Sequence, residues 1–107
     1  MQKRIYLLST LLPTLDFLFA TPALSAEADL AKAEKVYKRS CATCHGKQGE
    51  KPAMGESKII NQLKPEEIST ALSERKAGNI TGAGSPAKQR LSEQDIHNLS
   101  EYIQTLK

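Results

Sequence analysis

The chain has 107 residues and a mass of 11.7 kDa, with fifteen Lys and Arg against twelve Asp and Glu and only two cysteines. One domain is the default at this length, which leaves out multidomain enzymes. A net charge of +3 is too small to point to nucleic acid, two cysteines exclude a disulfide-dense scaffold, and a mean hydropathy of -0.43 excludes a polytopic membrane protein.

Residues 1–26 have the layout of a secretory signal. Lys3 and Arg4 form a basic start, and Ile5 to Leu15 is mainly apolar and uncharged. Asp16 interrupts that run, Phe17 to Ala23 resumes it, and small residues near Ala26 offer cleavage points. Neither uncharged run approaches the roughly 18 apolar residues of a spanning helix, so no stable membrane insertion is expected after cleavage. A domain of residues 27–107, exported to the periplasm of a bacterium, is the reading that follows.

Subtracting the signal changes the arithmetic. Residues 27–107 hold thirteen basic and eleven acidic side chains, and their large apolar set is six Leu, six Ile, Val36, Met54, Tyr37 and Tyr102. There is no Phe and no Trp among them. So small a set can hardly offset the chain entropy of 81 residues by side-chain burial alone. A disulfide between Cys41 and Cys44 would close too short a loop to help. Something else must fill the core.

The predicted elements are helical. Leu30, Ala33, Tyr37, Ser40 and Cys41 recur at spacings of three and four, which predicts a helix over about 28–40. Gly46 to Gly55 is polar and carries three glycines and Pro52, the composition of a loop. A second helix should open at Pro65, with Glu66 and Glu67 at its positive end and Ile68 and Leu72 on one face, and stop at Gly78. Ala77 to Arg90 reads as a loop. Ser92 and Asp95 have the spacing of a capping box ahead of Ile96, Leu99, Tyr102, Ile103 and Leu106. No alternating pattern of a strand appears. The expected fold class is all-α, with about three helices.

The chemistry is concentrated in Cys41-Ala42-Thr43-Cys44-His45, the Cys-x-x-Cys-His signal for attaching a c-type haem. Two thiols three residues apart, where a helix runs into a tight turn, can each add to one vinyl group of a porphyrin. The next residue can then turn its imidazole beneath the iron. The macrocycle would also supply the missing apolar filler. Three other readings share the cysteine spacing. A thioredoxin-like dithiol belongs in a βαβ context, a zinc site needs four ligands and only Cys41, Cys44, His45 and a distant His97 are available, and a plain disulfide leaves His45 without a role.

From 27 to 107 the sequence resembles the class I c-type cytochromes, in particular the small bacterial single-haem kind. The shared features are a first helix ending in Cys-x-x-Cys-His-Gly with Ala33 and Tyr37 four apart, the stretch Gly46-Lys47-Gln48-Gly49, and the ending Leu91, Ser92, Asp95, Ile96, Leu99, Tyr102 and Ile103. The resemblance implies terminal helices crossing over one edge of a single covalently bound haem c. It also implies thioethers at Cys41 and Cys44 and His45 as the proximal iron ligand.

One position departs from the family. The methionine expected in the loop before the last helix is missing: Gly84 stands there, in Gly84-Ser85-Pro86-Ala87-Lys88. Met54, nine residues after His45, is the one methionine left to consider, and it reads first as a packing residue. His97 falls on the polar side of the last helix with Glu93, Gln94, Ser100 and Glu101. Lys88 and Asn79 lie in the right loop but are expected to face water. The distal position is therefore expected to hold water or stay open. Electron transfer between periplasmic redox proteins is the function implied, by a monomer that is not an enzyme. Binding or sensing of a diatomic gas at an open distal site is the alternative.

Overall fold

A computed structural model describes residues 27–106. The export signal assigned to residues 1–26 lies outside the described residues. Five α-helices follow in chain order: α1 (Leu30–Ser40), α2 (Ala42–His45), α3 (Pro65–Lys76), α4 (Ser85–Gln89) and α5 (Glu93–Ile103). Two short 3-10 turns, Ala53–Gly55 and Ile60–Gln62, interrupt the connection between α2 and α3. No strand occurs among the described residues. The all-α expectation holds, with three long helices and two short ones.

Local chemistry accounts for the long helices. Asp29 caps α1, its carboxylate accepting the backbone N–H of Lys32 at 3.0 Å. At the other end Cys41 leaves helical geometry with φ −122°, which separates α1 from α2. The first turn of α3 opens on Pro65, where a missing N–H costs nothing, and Glu67 accepts the N–H of Lys64 at 2.9 Å. Its end is a Schellman turn: Gly78, at φ 85°, donates to the Arg75 carbonyl and Asn79 donates to that of Glu74 at 2.9 Å. Ser92 and Asp95 form the expected reciprocal box at the start of α5, with bonds of 2.9 and 3.0 Å. Those bonds to backbone and hydroxyl hold the Asp95 carboxyl below its ordinary value.

Helix α5 is the spine of the domain, packed against α1 on one side and α3 on the other. The buried apolar residues are Ala33, Val36 and Tyr37 of α1, Ile68 and Leu72 of α3, Leu91, and Ile96, Leu99, Ile103 and Leu106 at the C-terminal end. Tyr37 is the one aromatic side chain among them. Its ring meets that of Tyr102 at 5.7 Å between centroids, where α1 and α5 cross. Leu30 and Ser40, placed on the apolar face by spacing, are instead exposed.

Two expectations need correction. The segment Ala77 to Arg90 is not all loop, because Ser85–Gln89 forms α4. Pro86 sits in its first turn and Gly84 caps it, so residues that punctuate a loop here start a helix. Ser100 is not on the polar side of α5. It is buried, and its hydroxyl donates to the Ile96 carbonyl at 2.7 Å, which satisfies it within the helix.

Candidate haem site

The five residues of the motif occupy the corner where α1 stops and α2 makes a single turn. Both cysteines are free thiols, Cys41 half-buried and Cys44 exposed. Burial pushes the Cys41 thiol up to about 11, against the opposing charge of Lys88. A redox-active dithiol needs the reverse, a thiol lowered toward neutrality. With no strand nearby either, the thioredoxin-like reading has no support. The zinc reading fails as well, since no three His, Cys, Asp or Glu side chains converge among the described residues.

His45 is half-buried at the end of α2, and its Nδ1 is buried with no hydrogen-bond partner. Burial, and then the charges of Lys88 and Arg75, depress its pKa, so the neutral imidazole that can bind iron is the favoured form. A buried polar nitrogen without a partner costs about 1 to 3 kcal/mol unless some group completes the site. Two unpaired thiols and an incompletely satisfied imidazole in five residues fit a haem attached through both sulfurs.

The backbone after His45 is held in place from several directions. Gly46 has φ 86°, a conformation that favours glycine, and a Cβ there would strike the Glu50 carboxylate. The Tyr37 hydroxyl donates to the Gly46 carbonyl at 2.6 Å, which ties α1 to the residue following the imidazole. Burial raises Tyr37 to about 12, so this hydroxyl keeps its proton. Further along, Lys51 donates to the His45 carbonyl at 3.0 Å and the Asn61 side chain donates to that of Gln48 at 2.9 Å. Tyr37→Phe should lower stability by about 1 to 2 kcal/mol by leaving that carbonyl unpaired, read from the denaturant midpoint of the holoprotein. Tyr37 was legible as a core residue; its bond to Gly46 was not, because spacing says nothing of where a hydroxyl ends.

The distal candidates are spread apart. Met54 is 76% exposed on the turn Ala53–Gly55, which touches α2, so it is not the packing residue its chemistry suggested. His97 is exposed on α5, as expected. Asn79 is exposed and its amide donates to the Glu74 carboxylate at 2.9 Å. Lys88 departs from expectation: it is half-buried, and its ammonium lies within electrostatic reach of Cys41, Cys44 and His45. Burial, together with the neighbouring charge of Arg75, lowers its pKa.

The comparisons with known proteins agree with this geometry. The family described as cytochrome c oxidase, cbb3-type, subunit III matches residues 28–103. A protein named cytochrome c-553 from Helicobacter pylori is 42% identical over 83 residues, covering 77% of this chain and 86% of its own length. Cytochrome c-553 of a second strain of that species is 40% identical over 74 residues, covering 68% and 77%. Cytochrome c-554(547) of Halothiobacillus neapolitanus is 37% identical over 91 residues, covering 74% and 98%. With its helical domain matched almost from end to end and its thiols and imidazole at one helix corner, the chain belongs to the cytochrome c family.

Proposed function

We propose that Cys41 and Cys44 carry the haem as thioethers and that His45 ligates its iron from the proximal side. The protein is a small c-type cytochrome with covalently attached haem c, and it carries electrons. The observation that supports the residue assignment is the corner itself: two free thiols three residues apart, followed by an imidazole with a buried nitrogen lacking a partner. Haem c, when bound, supplies the one-electron couple between ferric and ferrous iron.

The chain's own residues do the rest. Cys41 and Cys44 would hold the haem by adding their S–H bonds across its two vinyl groups, sulfur to one carbon and hydrogen to the other, with no net oxidation. The break at Cys41 ends α1 and puts the second thiol and the imidazole on the separate turn α2. Tyr37, through its bond to Gly46, holds the backbone behind His45 so that the ring keeps one orientation through repeated electron transfers. The buried side chains of α1 and α5 would keep water from the part of the haem they touch.

Further parts of the reading concern context. Residues 1–26 act as an export signal removed near Glu27, the partners are redox proteins of the periplasm, the protein works as a monomer, and it has no substrate of its own to transform. The basic start, the two apolar runs and the small residues near Ala26 support the export reading. No helix of the described residues is long and apolar enough to cross a membrane. Gas binding at an open distal site rests on Gly84 alone, and no other observation favours it.

The test is chemical. Holoprotein made in a host with haem-attaching machinery should keep its chromophore on the polypeptide through acid–acetone extraction, one haem per chain. Edman sequencing of that protein should start near Glu27. Chromophore released into the acetone would overturn the thioether assignment.

A further inference from the structure

We propose that Lys88 supplies the sixth ligand of the haem iron, in place of the methionine that the family draws from the same loop. This rests on the reading that Cys41, Cys44 and His45 carry the haem. Lys88 lies on α4, the short helix immediately before α5, four residues after Gly84. Its side chain does not run out to solvent as a loop lysine should. It is half-buried and folds back over Gly84, so closely that a Cβ at position 84 would stand 2.5 Å from its Nζ. The missing side chain at 84 is what makes room for the amine.

The direction of the side chain carries the argument further. The two thiols mark the edge of the macrocycle that they bind, and His45 marks the axis through its iron. The Lys88 nitrogen lies against position 84, where the family's methionine stands, and is within electrostatic reach of the two thiols and the imidazole. A lysine serving only a distant carboxylate would approach neither thiol. No Asp or Glu lies within ion-pair distance of Lys88 among the described residues, where the ion pairs are Lys32–Asp95 and Lys38–Glu34.

Other groups are less suited. Arg75 also approaches His45, but its guanidinium has no lone pair to give and it donates to the Ala71 carbonyl at 3.3 Å. Met54 is 76% exposed on its turn, and the Asn79 amide is bound to Glu74. On binding, Lys88 releases one proton to solvent and its nitrogen lone pair takes the axial position, with no electron transferred. An amine is a harder donor than a thioether and favours ferric iron.

The test uses ferric holoprotein, its near-infrared magnetic circular dichroism and its electron paramagnetic resonance. Wild type should be low-spin with an amine signature and no thioether band. Lys88→Ala and Lys88→Arg should both lose the low-spin signal and become high-spin, and their ferrous forms should take up carbon monoxide faster. Arginine keeps the charge and the length, so its failure to restore the signal separates ligation from electrostatics. Met54→Leu should match wild type. A high-spin wild type, or a low-spin Lys88→Arg, would overturn the ligand assignment. Haem content is read separately by the pyridine haemochrome method on denatured protein. Covalent haem with a spectrum indifferent to Lys88 overturns this inference alone, whereas absence of covalent haem overturns the attachment reading and this one with it.

Discussion

Replacing Cys41 and Cys44 together by serine should leave a chain that accumulates little folded protein. The core explains why. Its buried apolar side chains come from α1, α3 and α5 with Leu91 and Leu106 flanking the last, and Tyr37 is the one aromatic among them. Helix α1 has eleven residues and α5 eleven, lengths at which an isolated helix is marginal in water. Without the macrocycle, the crossing at Tyr37 and Tyr102 and a handful of Leu and Ile side chains must oppose the entropy of the whole chain. Circular dichroism of the double variant should therefore show most of the helical signal lost relative to the holoprotein. Helicity equal to that of the holoprotein would mean that the side-chain core suffices by itself.

The elements legible in the sequence are those whose causes are local. Helix α5 could be read because Ser92 and Asp95 cap it within one turn and its apolar positions recur at helical spacing. The haem corner could be read because its chemistry is contiguous, five residues in a row. Helix α4 could not, because Gly82, Gly84 and Pro86 break most helices and only their positions relative to Ser85 make them a cap and a first turn. Lys88 was misplaced for another reason. Lysine faces water by default, and its burial accompanies the packing of α4 against α3, which begins more than twenty residues earlier. Ser100 was misplaced because its partner is a carbonyl of its own helix, which a polarity pattern does not register.

Gly84→Met should change the iron more than any other single substitution in the distal loop. Gly84 has φ −88° and ψ 0°, a conformation open to any residue, and it caps α4 without a side-chain bond that could be lost. A side chain there must displace the Lys88 amine, the far end of a flexible side chain, so the iron would exchange one ligand for the other. A thioether would then reach the position the family gives it. Thioether ligation favours ferrous iron, so the potential should rise by a sizeable part of the roughly 0.8 V over which axial ligands set haem potentials. The ferric form should gain the absorption band of iron–thioether bonding. Met54→Leu should alter neither property. A potential unchanged in Gly84→Met would show that the loop does not face the iron. A spectrum changed by Met54→Leu would return the exposed methionine to the site.

Asn98, almost wholly buried on α5, accepts the backbone N–H of Asp29 at 3.0 Å across a separation of 69 residues. That bond joins the cap of the first helix to the middle of the last, so the loop it closes spans nearly the entire domain. Contacts of such span form only after most of the chain is available, because closure entropy is spent before they stabilise anything. On a chain still being made, the thiol-bearing corner therefore precedes the helix that completes the crossing with α1. The order is built into the topology: both thiols are on the chain before the last helix arrives to close the crossing with the first.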